Sequence, residues 1–201
     1  MDVKSVENLC GMVKMSNPTL VLTDFPWSDC YGKRTNKDTR FGLGFSGHYK
    51  GMTNQEILDF KSEIDKVSGE NSILLQWTTF PALDFSIEAM KHFGYTYKTE
   101  AFVWIKISKT GTPLVKPGYY FGSGPEVCLL GIKGGGKNMF KPAKQLLGAT
   151  IMEPPREHSR KPEQSYERIE QAYPHLDKIE FFSRQTRENW VSFGDQVGKF
   201  R

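Results

Sequence analysis

No run of apolar residues in this 201-residue sequence approaches the roughly 20 that a membrane-spanning helix needs. The N-terminus also lacks the layout of a secretion signal, so a soluble, cytoplasmic protein is expected. Cysteine is scarce. Cys10, Cys30 and Cys128 are odd in number, far apart and without a CxxC pair, which argues against a disulfide framework or a zinc cage and fits a reducing compartment. The histidines, His48, His92, His158 and His175, are equally scattered, and no metal is expected. Neither sign of charge dominates, the net value being +4. With no internal repeat or linker, and length for one substantial core, a single domain over 1–201 is expected.

What is present reads as a folded α/β chain. Thr19 to Thr23 is a short apolar run stopped by Asp24 and a proline, as a buried parallel strand would be. Ser28 to Gly51 has no steady periodicity and reads as a long loop. Thr53 and Glu56 form a capping-box pattern, and Ile57, Ile64 and Val67 then recur on one face, which predicts a helix from Thr53. Further strands are expected at Ser72–Trp77, Tyr95–Ile107, Glu126–Gly131, Lys178–Ser183 and Trp190–Phe193, with helices over Asp84–His92 and from Pro162 to about Tyr173. Thr110 to Pro125 is rich in Gly and Pro and reads as a loop. Strands alternating with helices imply a sheet flanked by helices.

Positive charge is uneven. Between Gly131 and Pro162 there are seven Lys or Arg against two Glu, which reads either as a solvated loop or as a face for phosphates. Within it, Gly131-Ile-Lys-Gly-Gly-Gly-Lys137 nearly spells a P-loop. Asn138 stands where Ser or Thr would hold magnesium, so the stretch is read as a flexible basic loop near nucleic-acid phosphates.

Asp24-Phe25-Pro26-Trp27 falls where ligands bind in open α/β sheets, just past the carboxyl end of a strand. A carboxylate beside a backbone carbonyl offers two acceptors for the two hydrogens of an aromatic amine. That pairing favours a pyramidal nitrogen and frees its lone pair. A neighbouring indole offers a face for an unstacked base. The alternative is a strand-ending turn with a packed Trp.

The tetrapeptide does not stand alone. Tyr49, Trp104-Ile-Lys106, Glu126 to Gly131, His158-Ser-Arg-Lys-Pro162, Lys178-Ile-Glu-Phe-Phe-Ser-Arg184 and Asn189-Trp190 through Gly194-Asp195-Gln196 follow it in order. The ordered set, from about Leu20 to Gln196, resembles the MT-A70 family of adenine-N6 methyltransferases. The resemblance implies a Rossmann-like α/β fold with a mostly parallel sheet, the catalytic motif early and the cofactor segment late. It implies S-adenosylmethionine as methyl donor and adenine in nucleic acid as acceptor. DNA is expected, since bacterial and phage members look like DNA enzymes. RNA, and a non-catalytic nucleic-acid-binding subunit, are the alternatives, and a homo-oligomer or a paralogue partner is compatible with the short chain.

Carried over by position, Asp24 and the Phe25 carbonyl match the groups on the amine, with Pro26 and Trp27 completing the motif. Tyr49, Lys106 and Glu126 match the substrate side. Lys106 and Glu126 would read polar base edges, contact backbone or form a structural ion pair. Lys161, Phe182, Arg184, Asp195 and Gln196, with Asp24, match the cofactor side: Lys161 and Arg184 for the methionine carboxylate, Phe182 for apolar contact, Asp195 and Gln196 for the ribose hydroxyls. Two positions depart from the family pattern. Phe25 replaces its first proline, which frees φ and restores an N–H, and Asp195 replaces an expected Asn.

Overall fold

The computed structural model describes residues 19–27, 51–117, 120–135, 138–144, 147–157 and 159–200. Seven strands form one sheet: β1 (Thr19–Thr23), β2 (Ser72–Thr78), β3 (Thr96–Lys106), β4 (Glu126–Lys133), β5 (Thr150–Glu153), β6 (Asp177–Phe181) and β7 (Trp190–Phe193), in the order β5-β3-β4-β2-β1-β6-β7. Four of the six neighbouring pairs are parallel, and β4 alone runs against the rest. The mostly parallel, Rossmann-like sheet expected from the sequence is therefore present. Its permuted order has a plain consequence: β6, late in the chain, lies directly beside β1.

Both faces are covered, which explains why β1 and β2 are continuous apolar runs rather than alternating ones. Val21, Leu74 and Ile179 pack one way, against Ile57, Ile64, Val67, Ala89 and Met90 of helices α1 (Asn54–Asp59), α2 (Lys61–Ser68) and α3 (Leu83–His92). Leu20, Leu22, Ile73 and Leu75 pack the other way, with Tyr166, Ile169 and Ala172 of α4 (Glu163–Ala172). The Thr53 capping box forms, with Glu56 N–H donating to Thr53 Oγ1 at 3.2 Å and Thr53 N–H to Glu56 Oε2 at 2.7 Å. The single helix expected there is two, broken at Phe60, which closes α1 and opens α2. Strand β5 was not anticipated; only Ile151 of its four residues is buried.

The basic glycine run lies away from the Asp24 motif. Because β4 is antiparallel, Lys133 pairs with Ser72 at the amino end of the parallel strands, away from Asp24. Gly134 and Gly135 (φ 62° and 76°) turn the chain there. A Cβ on Gly134 would stand 2.2 Å from the Glu70 carbonyl oxygen, and Asn71 Oδ1 accepts from the Gly135 N–H at 2.6 Å. The glycines serve that close approach, at the end of the sheet opposite Asp24.

Candidate active site

Registers bring distant segments to one side of the sheet. Thr23 pairs with Phe181, and Phe181 with Phe193, so Asp24, Phe182 and Gly194 each stand one residue past the carboxyl end of adjacent strands. Across β2, the antiparallel β4 begins at Glu126 opposite Trp104, two residues before the end of β3 at Lys106. Chain leaving β5 at Glu153 supplies Lys161 before entering α4. The Glu153 carboxylate anchors that helix start, accepting from the N–H groups of Glu163 (3.1 Å) and Gln164 (3.3 Å).

Four charges form an alternating chain through this side. Lys161 Nζ lies 3.0 Å from Asp24 Oδ1 and 2.7 Å from Glu126 Oε2, and Lys106 Nζ donates to Glu126 Oε1. Lys161 also sits 5.4 Å above the Trp77 ring, and Lys106 4.7 Å above Trp104. Burial disfavours the charge on Glu126, but the ammonium groups of Lys161 and Lys106 outweigh it and bring the carboxyl down to about 2. Burial likewise works against the Lys161 charge, yet Asp24 and Glu126 together lift its pKa well above that of an ordinary lysine. Asp24 goes the other way. Burial raises its carboxyl above the usual value, and the Lys161 charge offsets this only in part. With 29 % of its side chain exposed, against 9 % to 17 % for its three partners, Asp24 is the member that a ligand can reach.

The backbone after Asp24 is a tight turn. Trp27 N–H donates to the Phe25 carbonyl at 2.9 Å, closing a three-residue turn on Pro26, whose ring pre-sets a compatible φ. The Pro26 carbonyl accepts from Met52 N–H at 2.9 Å, tying the motif to the start of α1. A carbonyl has two lone pairs, so the Phe25 oxygen keeps one for a second donor. The Phe25 ring is 2 % exposed and packs on Trp27, Phe60, Phe93 and Phe182 at centroid distances of 5.1–5.9 Å. Phe25 is thus a core residue whose carbonyl is held by the turn.

Trp27 differs from expectation. At 5 % exposure its ring is a core member, edge-on to Phe25 and Phe85, and its indole N–H donates to the Trp77 carbonyl at 3.3 Å. Little surface remains for a base to stack on. An open aromatic on the same side is Phe80, 51 % exposed, two residues past the end of β2. Its sequence signal was an aromatic directly after a strand.

On the β6 and β7 side, Phe182 holds a left-handed φ of 64°, unusual for a bulky residue, fixed by Ser183 N–H donating to the Phe193 carbonyl at 2.9 Å. A Cβ on Gly194 would stand 2.2 Å from the Ser183 carbonyl oxygen, so only glycine permits this approach. Asp195 is exposed and Gln196 half-buried directly beyond it, and Gln196 Oε1 accepts from Lys199 at 3.1 Å. Arg184 is near enough for its charge to lower the Asp24 carboxyl. Lys161, assigned to the cofactor side, stands between Asp24 and Glu126. Lys106 and Glu126 take the ion-pair alternative in this structure. Tyr49 and His158 lie outside the described residues.

One group went unrecognised in the Lys178–Arg184 segment. Glu180, 7 % exposed, accepts from Tyr166 Oη at 2.7 Å and Ser183 Oγ at 2.9 Å, and burial pushes its carboxyl up to about 7. The available signal was a carboxylate held between Ile179 and Phe181, the two apolar residues of that strand.

The family model MT-A70 matches residues 18–196. Among curated proteins, the chain is 32 % identical over 141 residues to the type II methyltransferase M.MunI of Mycoplasma sp, covering 67 % of this chain and 54 % of that one. It is 29 % identical over 140 residues to the N(6)-adenosine-methyltransferase MT-A70-like protein of Drosophila melanogaster, covering 66 % of this chain and 22 % of the other. It is also 29 % identical over 136 residues to the human N(6)-adenosine-methyltransferase catalytic subunit METTL3, covering 64 % and 22 %. The chain therefore spans about half the length of the Mycoplasma relative (54 %) and about a fifth of the other two (22 %).

Proposed function

Because the chain belongs to the MT-A70 family of methyltransferases, we propose that it methylates the exocyclic N6 of adenine in DNA, with the base flipped out or single-stranded. The observation that carries this reading is the position of Asp24 and the Phe25 carbonyl between the β6–β7 segment and the Lys106–Glu126 pair. Methyltransferases of this family use S-adenosylmethionine. The donor set fits that molecule: a reachable carboxylate for its ammonium, Arg184 for its carboxylate, a Phe182 ring, and Asp195 and Gln196 for a vicinal diol. When bound, it supplies an electrophilic methyl group.

The chain's own residues do the rest. Asp24 Oδ accepts one N6 hydrogen and the Phe25 carbonyl the other, which turns the nitrogen lone pair toward the methyl group. On methylation the nitrogen would shed its proton from the Asp24 hydrogen bond to water. Lys161 opposes the effect of burial and so favours the ionised form of Asp24. Among the described residues it meets two carboxylates, and an ammonium has three N–H donors, so the third can serve the cofactor carboxylate.

Matched DNA and RNA oligonucleotides, competed with labelled S-adenosylmethionine, test the reading. Label should enter adenine in DNA, and Asp24→Ala should stop it while cofactor-free unfolding curves stay close to wild type. The second reading, an RNA substrate, is favoured by the N(6)-adenosine-methyltransferases among the relatives. Preferential labelling of RNA would establish it in place of DNA. No label in either, with cofactor binding measured, would overturn both.

A further inference from the structure

Between Lys106 and Glu126 the chain leaves the sheet as an arm. It turns at Ser108–Thr112, where Ser108 N–H donates to the Thr112 carbonyl at 2.7 Å, and returns so that Leu114 N–H reaches the Lys106 carbonyl at 2.7 Å. It then forms a hairpin in which Lys116 and Ser123 exchange N–H···O bonds of 2.6 and 2.8 Å. The arm is closely packed on itself. A Cβ on Gly124 would stand 2.3 Å from the Leu114 carbonyl oxygen, and one on Gly122 would stand 2.2 Å from Val115 Cγ1.

Its surface is unlike the rest of the molecule. Val115 is 74 % exposed, Tyr120 87 % and Phe121 89 %, with Leu114 at 37 %; these are half of the large apolar side chains exposed among the described residues. From Ile107 to Pro125 the only charged residues are Lys109 and Lys116, both exposed, with no Asp or Glu. The root of the arm is the Lys106–Glu126 ion pair, joined through Lys161 to Asp24. Phe121 is five residues from Glu126, which bounds its distance from that root at about 18 Å, a span of a few stacked nucleotides.

We propose that this arm grips the target strand, Tyr120 and Phe121 stacking on bases beside the adenine displaced into the site while Lys109 and Lys116 meet phosphates. The inference rests on the nucleic-acid reading above. Exposed aromatic faces on an arm that also carries two cations and no carboxylate suit single-stranded nucleic acid, because every base has a π-face and every linkage an anion. A second copy of the chain fits less well: four apolar side chains on a narrow arm fall short of the roughly 800 Å² per partner of a stable interface.

The test measures binding of fluorescein-labelled single-stranded oligodeoxynucleotide and oligoribonucleotide, each with a single adenine, to the full chain. Tyr120→Ala/Phe121→Ala should weaken binding by at least about tenfold on whichever strand the wild type prefers, and Phe121→Trp should retain it. S-adenosylmethionine affinity and sedimentation should not change in the double variant. Lys109→Ala/Lys116→Ala should lower the salt dependence of binding. Affinity of the double variant within about twofold of wild type overturns the arm's role alone. A change in sedimentation overturns it in favour of self-association. Wild-type protein that binds neither strand removes the functional reading together with the arm.

Discussion

Lys161 is the residue on which the charge arrangement turns, because it is the shared partner of Asp24 and Glu126. Substituting Lys161→Met leaves two largely buried carboxylates without it, and urea unfolding near neutral pH should show a loss of about 3–5 kcal/mol. Its effect on activity has a direction. The proposed methyl transfer needs ionised Asp24, whose carboxyl burial already raises, so on that reading the acid limb of kcat/KM should lie above the ~3.9 of an ordinary aspartate. Lys161→Arg should keep that limb, whereas any residual activity of Lys161→Met should show it displaced to higher pH. Phe25 gives a second prediction. Restoring the family residue with Phe25→Pro removes a ring packed among Phe60, Phe93 and Phe182, and should cost about 3 kcal/mol in denaturant unfolding although it recreates the family motif.

Where α4 packs on β6, Glu180 lies between Tyr166 and Ser183, with the charges of Arg187 and Asp24 also acting on it. Its carboxyl titrates near 7 when folded and near ~4.3 when unfolded. The native state then holds more protons between those values, so this contribution is complete below about pH 4 and is lost as pH rises through 7. Its size is on the order of 3 kcal/mol. Glu180→Gln should flatten the fall in unfolding free energy between acidic and slightly alkaline buffers; an unchanged slope would assign it to other groups. Elements differ in how readable they were. Strands β1 and β2 were legible because burial on both faces demands continuous apolar runs. The break at Phe60 was not, since Ile57, Ile64 and Val67 keep helical spacing across it. Strand β5 has one buried residue, too few for a periodic signal.

For the molecule as a whole, the sheet order decides which segments become neighbours. Asp24 and the order of the later segments could be read from the sequence because each is a local pattern. The ion chain could not, since Lys161 meets both Asp24, far earlier in the chain, and Glu126, 35 positions away, while Glu126 meets Lys106 20 positions away, links that depend on the antiparallel course of β4. The same course sends the glycine run to the end of the sheet opposite Asp24, which composition alone could not show. The packing of Trp27 lay beyond the sequence for a related reason: a motif names a residue but not which way its ring packs. What the topology leaves at the carboxyl side is the reachable Asp24 carboxylate beside the Phe25 carbonyl with its spare lone pair, between the β6–β7 segment and the Lys106–Glu126 pair. The most direct measurement is base-resolved mapping of N6-methyladenine on DNA and RNA exposed to the protein with S-adenosylmethionine. The account predicts N6-methyladenine on DNA with wild type and none with Asp24→Asn. Absence of the mark while the cofactor demonstrably binds, or its persistence with Asp24→Asn, would contradict it.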